Sequence, residues 1–174
     1  MTGTKLLEQL LDSYQSSYDI AKPFEINGDV YDAYASFNVT SARYVLIKKA
    51  ELWQANCYEH TFFHCIDNLT SDNLTVFRRH ITDFIEPEFV RKGRKYPVKN
   101  HMYTFITGIF ICENGVPADI KKEVRKFKFI KNYLFSIRGY SEARLLVFDL
   151  ANRTIFGNTA ARDLVKGYNK AGII

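Results

Sequence analysis

An α+β fold is predicted, built on a single mixed, mostly antiparallel sheet with flanking helices, and three observations predict it. Segments of strand composition come in runs joined by short turns. Segments with apolar residues three and four apart, the helical period, lie between those runs. No internal repeat, low-complexity tract or shift of composition divides the 174 residues, so one globular domain over 1–174 is expected. The predicted order is α-β-β-β-α-β-α-β-β-β-α.

The first helix is predicted over residues 4–18. Leu6, Leu7, Leu10, Leu11, Tyr14 and Tyr18 fall on one stripe, with Thr4 placed to cap it. Pro23 ends this segment, and Asn27-Gly28 makes a turn. Residues 30–37 and 43–47, rich in Tyr, Val, Phe and Ile, suit two strands of a meander. Residues 51–66 supply a third strand or a pair. With unbroken alternation Trp53, Ala55, Cys57, Glu59, Thr61, Phe63 and Cys65 share the core face. Gln54, Asn56, Tyr58, His60, Phe62 and His64 then take the other.

Residues 72–86 return to helical period, with Leu74, Phe77, Ile81, Phe84 and Ile85 inward and Asp72 or Ser71 as the cap. Pro87 stops or kinks this helix. Met102 to Cys112 is nearly unbroken apolar sequence, the pattern of a central strand buried on both faces. Pro117 opens a helix carrying Ile120, Val124 and Phe127, although Phe127-Lys128-Phe129 also fits the start of a strand. Strands follow at 131–138, 144–150 and 154–157. The unit spanning 102–138 is a right-handed crossover if its two strands are parallel. Asn158 caps a last helix with Ala161, Leu164, Val165 and Tyr168 on its stripe and Gly167 near its end.

Composition excludes disorder, because 47 % of the chain is hydrophobic and 15 % aromatic. Cys57, Cys65 and Cys112 form an odd set without a CxxC spacing, so all three are expected as reduced, largely buried thiols in a reducing compartment. The first residues lack the charged-then-apolar pattern of a signal peptide. No stretch approaches the roughly 18 apolar residues of a membrane span, so no membrane partner is expected. Four Asn-x-Thr acceptors, at Asn38, Asn68, Asn73 and Asn152, then have no consequence. A bacterial-type cytoplasm is the expected setting.

The strongest local feature is electrostatic. Residues 91–101 hold Arg91, Lys92, Arg94, Lys95 and Lys99 without a carboxylate, and their five charges equal the net charge of +5 of the whole chain. With Tyr96 and His101 they form the candidate ligand-binding set for phosphates or an unpaired base. A second basic zone follows at Lys121, Lys122, Arg125, Lys126, Lys128 and Lys131. Basic loops are also common solubilising connectors.

Glu59 is the candidate catalytic carboxylate, since a charge on a core face needs pairing, hydrogen bonds or a proton. The leading reading is structural: an ion pair with an Arg or Lys from a neighbouring strand, or a register break that returns it to solvent. His60 and His64 have the spacing of two zinc ligands on a helix, but on a strand it parts them by about 13 Å. No Glu-x-Lys nuclease element, phosphate loop, dinucleotide turn or nucleophile elbow is present. No metal or cofactor is expected.

Several segments together resemble an uncharacterised family of clostridial-type bacterial proteins, a domain of unknown function. They are Arg43 to Trp53, Tyr58 to Phe63, His101 to Thr107, Lys126 to Phe129 and Leu145 to Leu150. The resemblance covers roughly residues 30–160 and implies a source and a compartment but no catalytic residues. Three functional classes follow. A non-catalytic binding or regulatory module with a protein partner leads, an anionic-ligand or nucleic-acid binder through residues 91–101 is second, and an enzyme around Glu59 is third.

Overall fold

A computed structural model describes residues 1–40 and 56–174. Helix α1, Gly3–Tyr14, buries Leu6, Leu7, Leu10, Leu11 and Tyr14, the predicted stripe. Its cap is Thr2 rather than Thr4, because the Thr2 hydroxyl accepts the Lys5 amide at 3.4 Å. Tyr18 lies beyond the helix. Three short strands not foreseen as separate elements follow: β1 Asp19–Ala21, β2 Phe24–Ile26 and β3 Asp29–Tyr31. Strands β2 and β3 pair across the predicted Asn27-Gly28 turn. β4 then runs Ala33–Thr40 and β5 Asn56–Ile66. The expectations for 43–47 and for 51–55, with Trp53, Gln54 and Ala55, lie outside the described residues.

Helix α2, Ser71–His80, starts at a reciprocal cap between Thr70 and Asn73, so that the cap is Thr70 rather than the predicted Ser71 or Asp72. It does not stop at Pro87. The chain continues in wide π-type turns over Ile81–Val90. There the Arg91 amide reaches back to the Glu86 carbonyl at 3.1 Å, a five-residue step. A proline offers no amide, so a backbone already using wider bonds accommodates it better than a regular helix does.

β6, His101–Cys112, is the predicted central strand. Helix α3, Ala118–Lys126, ends at Phe127, which settles the alternative reading of that segment. The predicted strand at 131–138 shrinks to β7, Ile130–Asn132, because Leu134, Phe135 and Ser136 all adopt positive φ and close a tight turn. β8 Tyr140–Asp149 and β9 Thr154–Gly157 follow. Asn158 caps a 3₁₀ turn, Thr159–Ala161, that leads into α4, Arg162–Ala171. Gly167 lies inside α4, and Gly172 ends it.

The sheet order is β1-β4-β5-β6-β8-β7, with β9 also on β8. β5, β6 and β8 are mutually parallel, and the remaining pairings are antiparallel. The fold is therefore α+β on a mixed sheet. The strand after α3 that pairs parallel with β6 is β8, not the strand at 130–132, so the crossover expected within 102–138 spans 101–149 instead. A second crossover, through α2, joins β5 to β6.

Helices α2 and α3 and the π-type segment cover one face, over Phe62, Ile106, Phe110, Leu145 and Val147. Helices α1 and α4 cover the other, over Phe63, Ile109, Ile111, Leu146 and Phe148. Consecutive residues of each central strand thus enter opposite cores, which explains why β6 reads as a continuous apolar run. Gly108 has a packing role here: a Cβ on it would stand 2.6 Å from the Phe77 ring, so α2 sits close because that position is bare. Among the described residues, no helix is long and apolar enough to cross a membrane.

Candidate functional site

Glu59 projects from β5 toward the α1 and α4 side, in the predicted register. Its carboxylate accepts hydrogen bonds from Tyr18 at 3.0 Å and Thr107 at 3.1 Å, with Thr61 at 3.5 Å. Arg144 of β8 stands 3.8 Å away and lies over the Phe105 ring. With a side-chain exposure of 14 %, Glu59 is a largely buried, well-supplied ion-pair partner. It does not line the cleft at 68–71, 114–120 and 152.

His60 and His64 sit on the opposite face of the same strand, and no group of metal-binding side chains forms among the described residues. His60 Nδ1 meets the Tyr34 hydroxyl at 2.7 Å, and its Nε2 is buried without a partner among the described residues. Burial pushes its pKa down from 6.5 to about 4, with the Lys92 charge adding to the effect. The folded protein therefore refuses a proton that the unfolded chain accepts. The stability this withholds is complete above the unfolded value near 6.5 and drains as pH falls toward about 4. Between pH 7 and about pH 4.5 the loss from this one residue should be about 2–3 kcal/mol. In urea titrations at those two pH values, His60→Gln should lose that much less than wild type. Equal losses would show that His60 does not carry the effect.

A second histidine escaped sequence reading. His80 of α2 is buried between the Tyr31 hydroxyl, 2.6 Å from Nδ1, and the Asp29 carboxylate, 2.9 Å from Nε2. Both ring nitrogens are engaged, so His80 ties the β2–β3 hairpin to α2 and has no free edge for chemistry. Nothing in the spacing of residues 29, 31 and 80 announces this contact.

The basic stretch divides into two populations. Arg91 makes a two-pronged bond to Glu86, Nε at 2.7 Å and Nη2 at 3.1 Å. Tyr96 packs on the core of the α2 side. His101 is buried, with Nδ1 2.7 Å from the Arg138 carbonyl and Nε2 2.8 Å from the Thr104 hydroxyl. Those three serve structure. Lys92, Arg94, Lys95 and Lys99 are exposed. The stretch is thus a pinned loop with a cationic rim.

What pins it is Glu86, 2 % exposed and absent from every sequence-level candidate set. Besides Arg91, it accepts Lys131 at 3.0 Å and the Tyr133 hydroxyl at 2.8 Å. Burial alone would raise its pKa, but the bonds from Arg91, Lys131 and Tyr133 outweigh that and hold it below the ordinary 4.5. The two basic zones of the sequence meet on this one carboxylate.

A cleft among the described residues lies elsewhere. It has a volume of ≈ 620 Å³ and is built from the loops that follow β5, β6 and β8. Asn68, Thr70 and Ser71 come from the first loop, Asn114 and Pro117 from the second and Asn152 from the third. Open α/β sheets place ligands at these carboxyl ends, because parallel strands direct all their following loops to one edge. Both α2 and α3 begin at its rim. The Thr70–Asn73 cap occupies part of the first turn of α2. Pro117 gives α3 no side-chain cap, so its first-turn amides are left for another acceptor.

Behind the lining stands Asp149, fully buried at the end of β8. It accepts the Val116 amide at 3.2 Å, the Asn152 side-chain amide at 2.9 and 3.0 Å and Lys121 at 3.0 Å. Burial would raise its pKa, but Asn152 and Lys121 hold it below 3.8. One carboxylate thereby locks the second loop, the third loop and α3 together. Asp149-x-x-Asn152 carries no chemical signature in the sequence, and its position beside a cleft depends on strands pairing across the chain.

The thiols depart partly from expectation. All three are free, and Cys112 is buried, but Cys57 and Cys65 are half-buried because they lie near the ends of β5. Burial first, then nearby carboxylates, pushes Cys65 and Cys112 up to about 12. Neither is therefore a ready nucleophile.

The sequence matches the family described as Domain of unknown function (DUF8052) over residues 2–170. The chain belongs to that family, which covers nearly its whole length. No curated protein and no solved structure matches it.

Proposed function

We propose that this chain is a non-catalytic binding module that takes a small phosphorylated, hydroxyl-bearing ligand in the cleft at the carboxyl ends of β5, β6 and β8. The observation that carries the reading is the convergence of three loops and two helix starts on one cavity braced by Asp149. Free amides at the start of α3 suit a phosphate, because they are donors and the helix dipole favours negative charge there. The side chains of Asn68 and Asn114 and the Asp119 carboxylate suit hydroxyls. Asp119 is the ionisable side chain in the lining and is exposed, and Asp149 is fully bonded, which supports binding rather than acid–base chemistry. We take the cytoplasm of a clostridial-type bacterium as the setting; three free thiols fit the reducing compartment, and say nothing of the source.

Ribose 5-phosphate, ribose and inorganic phosphate are the probes. On titration to about 10 mM, the sugar phosphate should shift backbone amides at 68–71, 114–120 and 152 more than either fragment does. An Asn68→Ala/Asn114→Ala variant should bind about five-fold or more weakly, since two hydrogen bonds of ordinary strength are lost. No shifts in those loops, or shifts confined to residues 91–101, would overturn the reading.

A further inference from the structure

The opposite end of the sheet carries a different surface. The turn from Tyr133 to Gly139 connects β7 to β8 and presents Phe135 at 100 % exposure and Ile137 at 77 %. Met102, 53 % exposed, lies at its base, where its backbone abuts Gly139. Large apolar side chains so fully in water are uncommon when they cluster, and a cluster marks an interaction surface.

The turn has an unusual backbone conformation. Leu134, Phe135 and Ser136 all have positive φ, between 49° and 69°, a conformation that costs energy without glycine. Bonds at the base of the turn hold it in place. The Arg138 amide reaches the Tyr133 carbonyl at 3.1 Å and the Gly139 amide the Ser136 carbonyl at 2.9 Å. His101 binds the Arg138 carbonyl at 2.7 Å, and the Arg138 guanidinium reaches Pro97 at 3.3 Å. The turn is thus docked on the basic loop.

The two segments that meet at the turn are basic, with Glu88 and Glu142 beyond their ends. Residues 91–101 carry no carboxylate, and neither do residues 124–141, which contribute Arg125, Lys126, Lys128, Lys131 and Arg138. Lys92, Arg94, Lys95, Lys99 and Lys128 are exposed. Glu86, the carboxylate between the two segments, is buried and shared by Arg91 and Lys131.

We propose that this end docks on an anionic phospholipid surface, with Phe135 and Ile137 entering the interface and the flanking cations meeting headgroup phosphates. An apolar tip beside two basic segments matches that surface in both polarity and charge. A nucleic acid fits less well, because Ile137 and Met102 have no π face on which a base could stack. The expectation of no membrane partner rested on the lack of a spanning segment, and surface docking needs none. This proposal does not rest on the ligand cleft, which lies at the other end of the strands.

The full chain is tested by co-sedimentation with phosphatidylcholine vesicles, with and without roughly 30 % phosphatidylserine. Binding should require phosphatidylserine and weaken at least ten-fold between about 50 and 500 mM salt, as charge screening demands. Phe135→Ser/Ile137→Ser should weaken it about ten-fold or more while melting like wild type, because both side chains are already in water. Arg94→Glu/Lys95→Glu should weaken it comparably. Absence of binding to the anionic vesicles would overturn the proposal, as would binding that the serine variant leaves unchanged. Preference for a single-stranded oligonucleotide over the vesicles in the same buffer would assign the surface to nucleic acid and overturn it equally.

Discussion

Glu86→Gln should destabilise the protein by about 3–5 kcal/mol, at the lower end of that range. Glutamine keeps the size and one oxygen acceptor but removes the charge that Arg91 and Lys131 share. Removing one partner of a buried pair is costly because the other is stranded. Here both cations are partly exposed and turn toward water, which moderates the loss. The sign of its pH dependence is set by the depressed carboxylate pKa. Wild-type stability from Glu86 is complete above the ordinary value of 4.5 and is lost as pH falls through the lower folded value. The gap between wild type and variant should therefore be full at neutral pH and close in acid. Urea unfolding at several pH values measures it. A neutral-pH difference within about 0.5 kcal/mol would mean the cations pin the loop without the carboxylate.

Gly139→Ala should cost as much, about 3–5 kcal/mol, a range that single changes seldom reach. Its φ is +71°, and a Cβ would stand 2.0 Å from the Met102 carbonyl oxygen and 2.8 Å from that of His101. Those are backbone atoms of the central strand, so neither can swing away. Gly93 is the control. Its φ of +70° is nearly the same, but nothing lies within 4 Å of its Cβ position. Gly93→Ala should lose only the backbone preference, about 1–2 kcal/mol. Two variants of equal stability would show that the Tyr133–Gly139 turn yields from β6 without cost. The expected result is instead early amide exchange across 133–139 in Gly139→Ala, with the turn released from the basic loop.

The ligand cleft and the apolar turn were the least legible features. Asn68, Asn114 and Asn152 are far apart in sequence and unremarkable singly. They meet because β5, β6 and β8 are parallel and send their following loops to one edge. Glu86 was hidden for a different reason. It stands one residue before Pro87, where a regular helix would end, and only the wide turns through Val90 carry it inward to Tyr133. Phe135 and Ile137 read as strand residues, since an apolar residue in a short run carries no mark of exposure. The three positive φ values that turn them outward are held by contacts with residues 97 and 101, some forty positions away.

The chain by itself determined the features that depend on near neighbours. The α1 stripe at Leu6, Leu7, Leu10, Leu11 and Tyr14 follows from the helical period, and the double burial of β6 from its unbroken apolar run. The Asn27-Gly28 hairpin, the Asn158 cap and the register that puts Glu59 beside Thr61 on one face are local in the same sense. Tertiary structure decided which strands pair, and with that everything chemical. It placed β8 beside β6, put Arg144 within reach of Glu59 and divided the basic stretch into pinned and free cations. Periodicity records only which side of an element faces a core. The partner across that core is chosen by long-range packing, whose terms are summed over the whole sheet and written in no single segment.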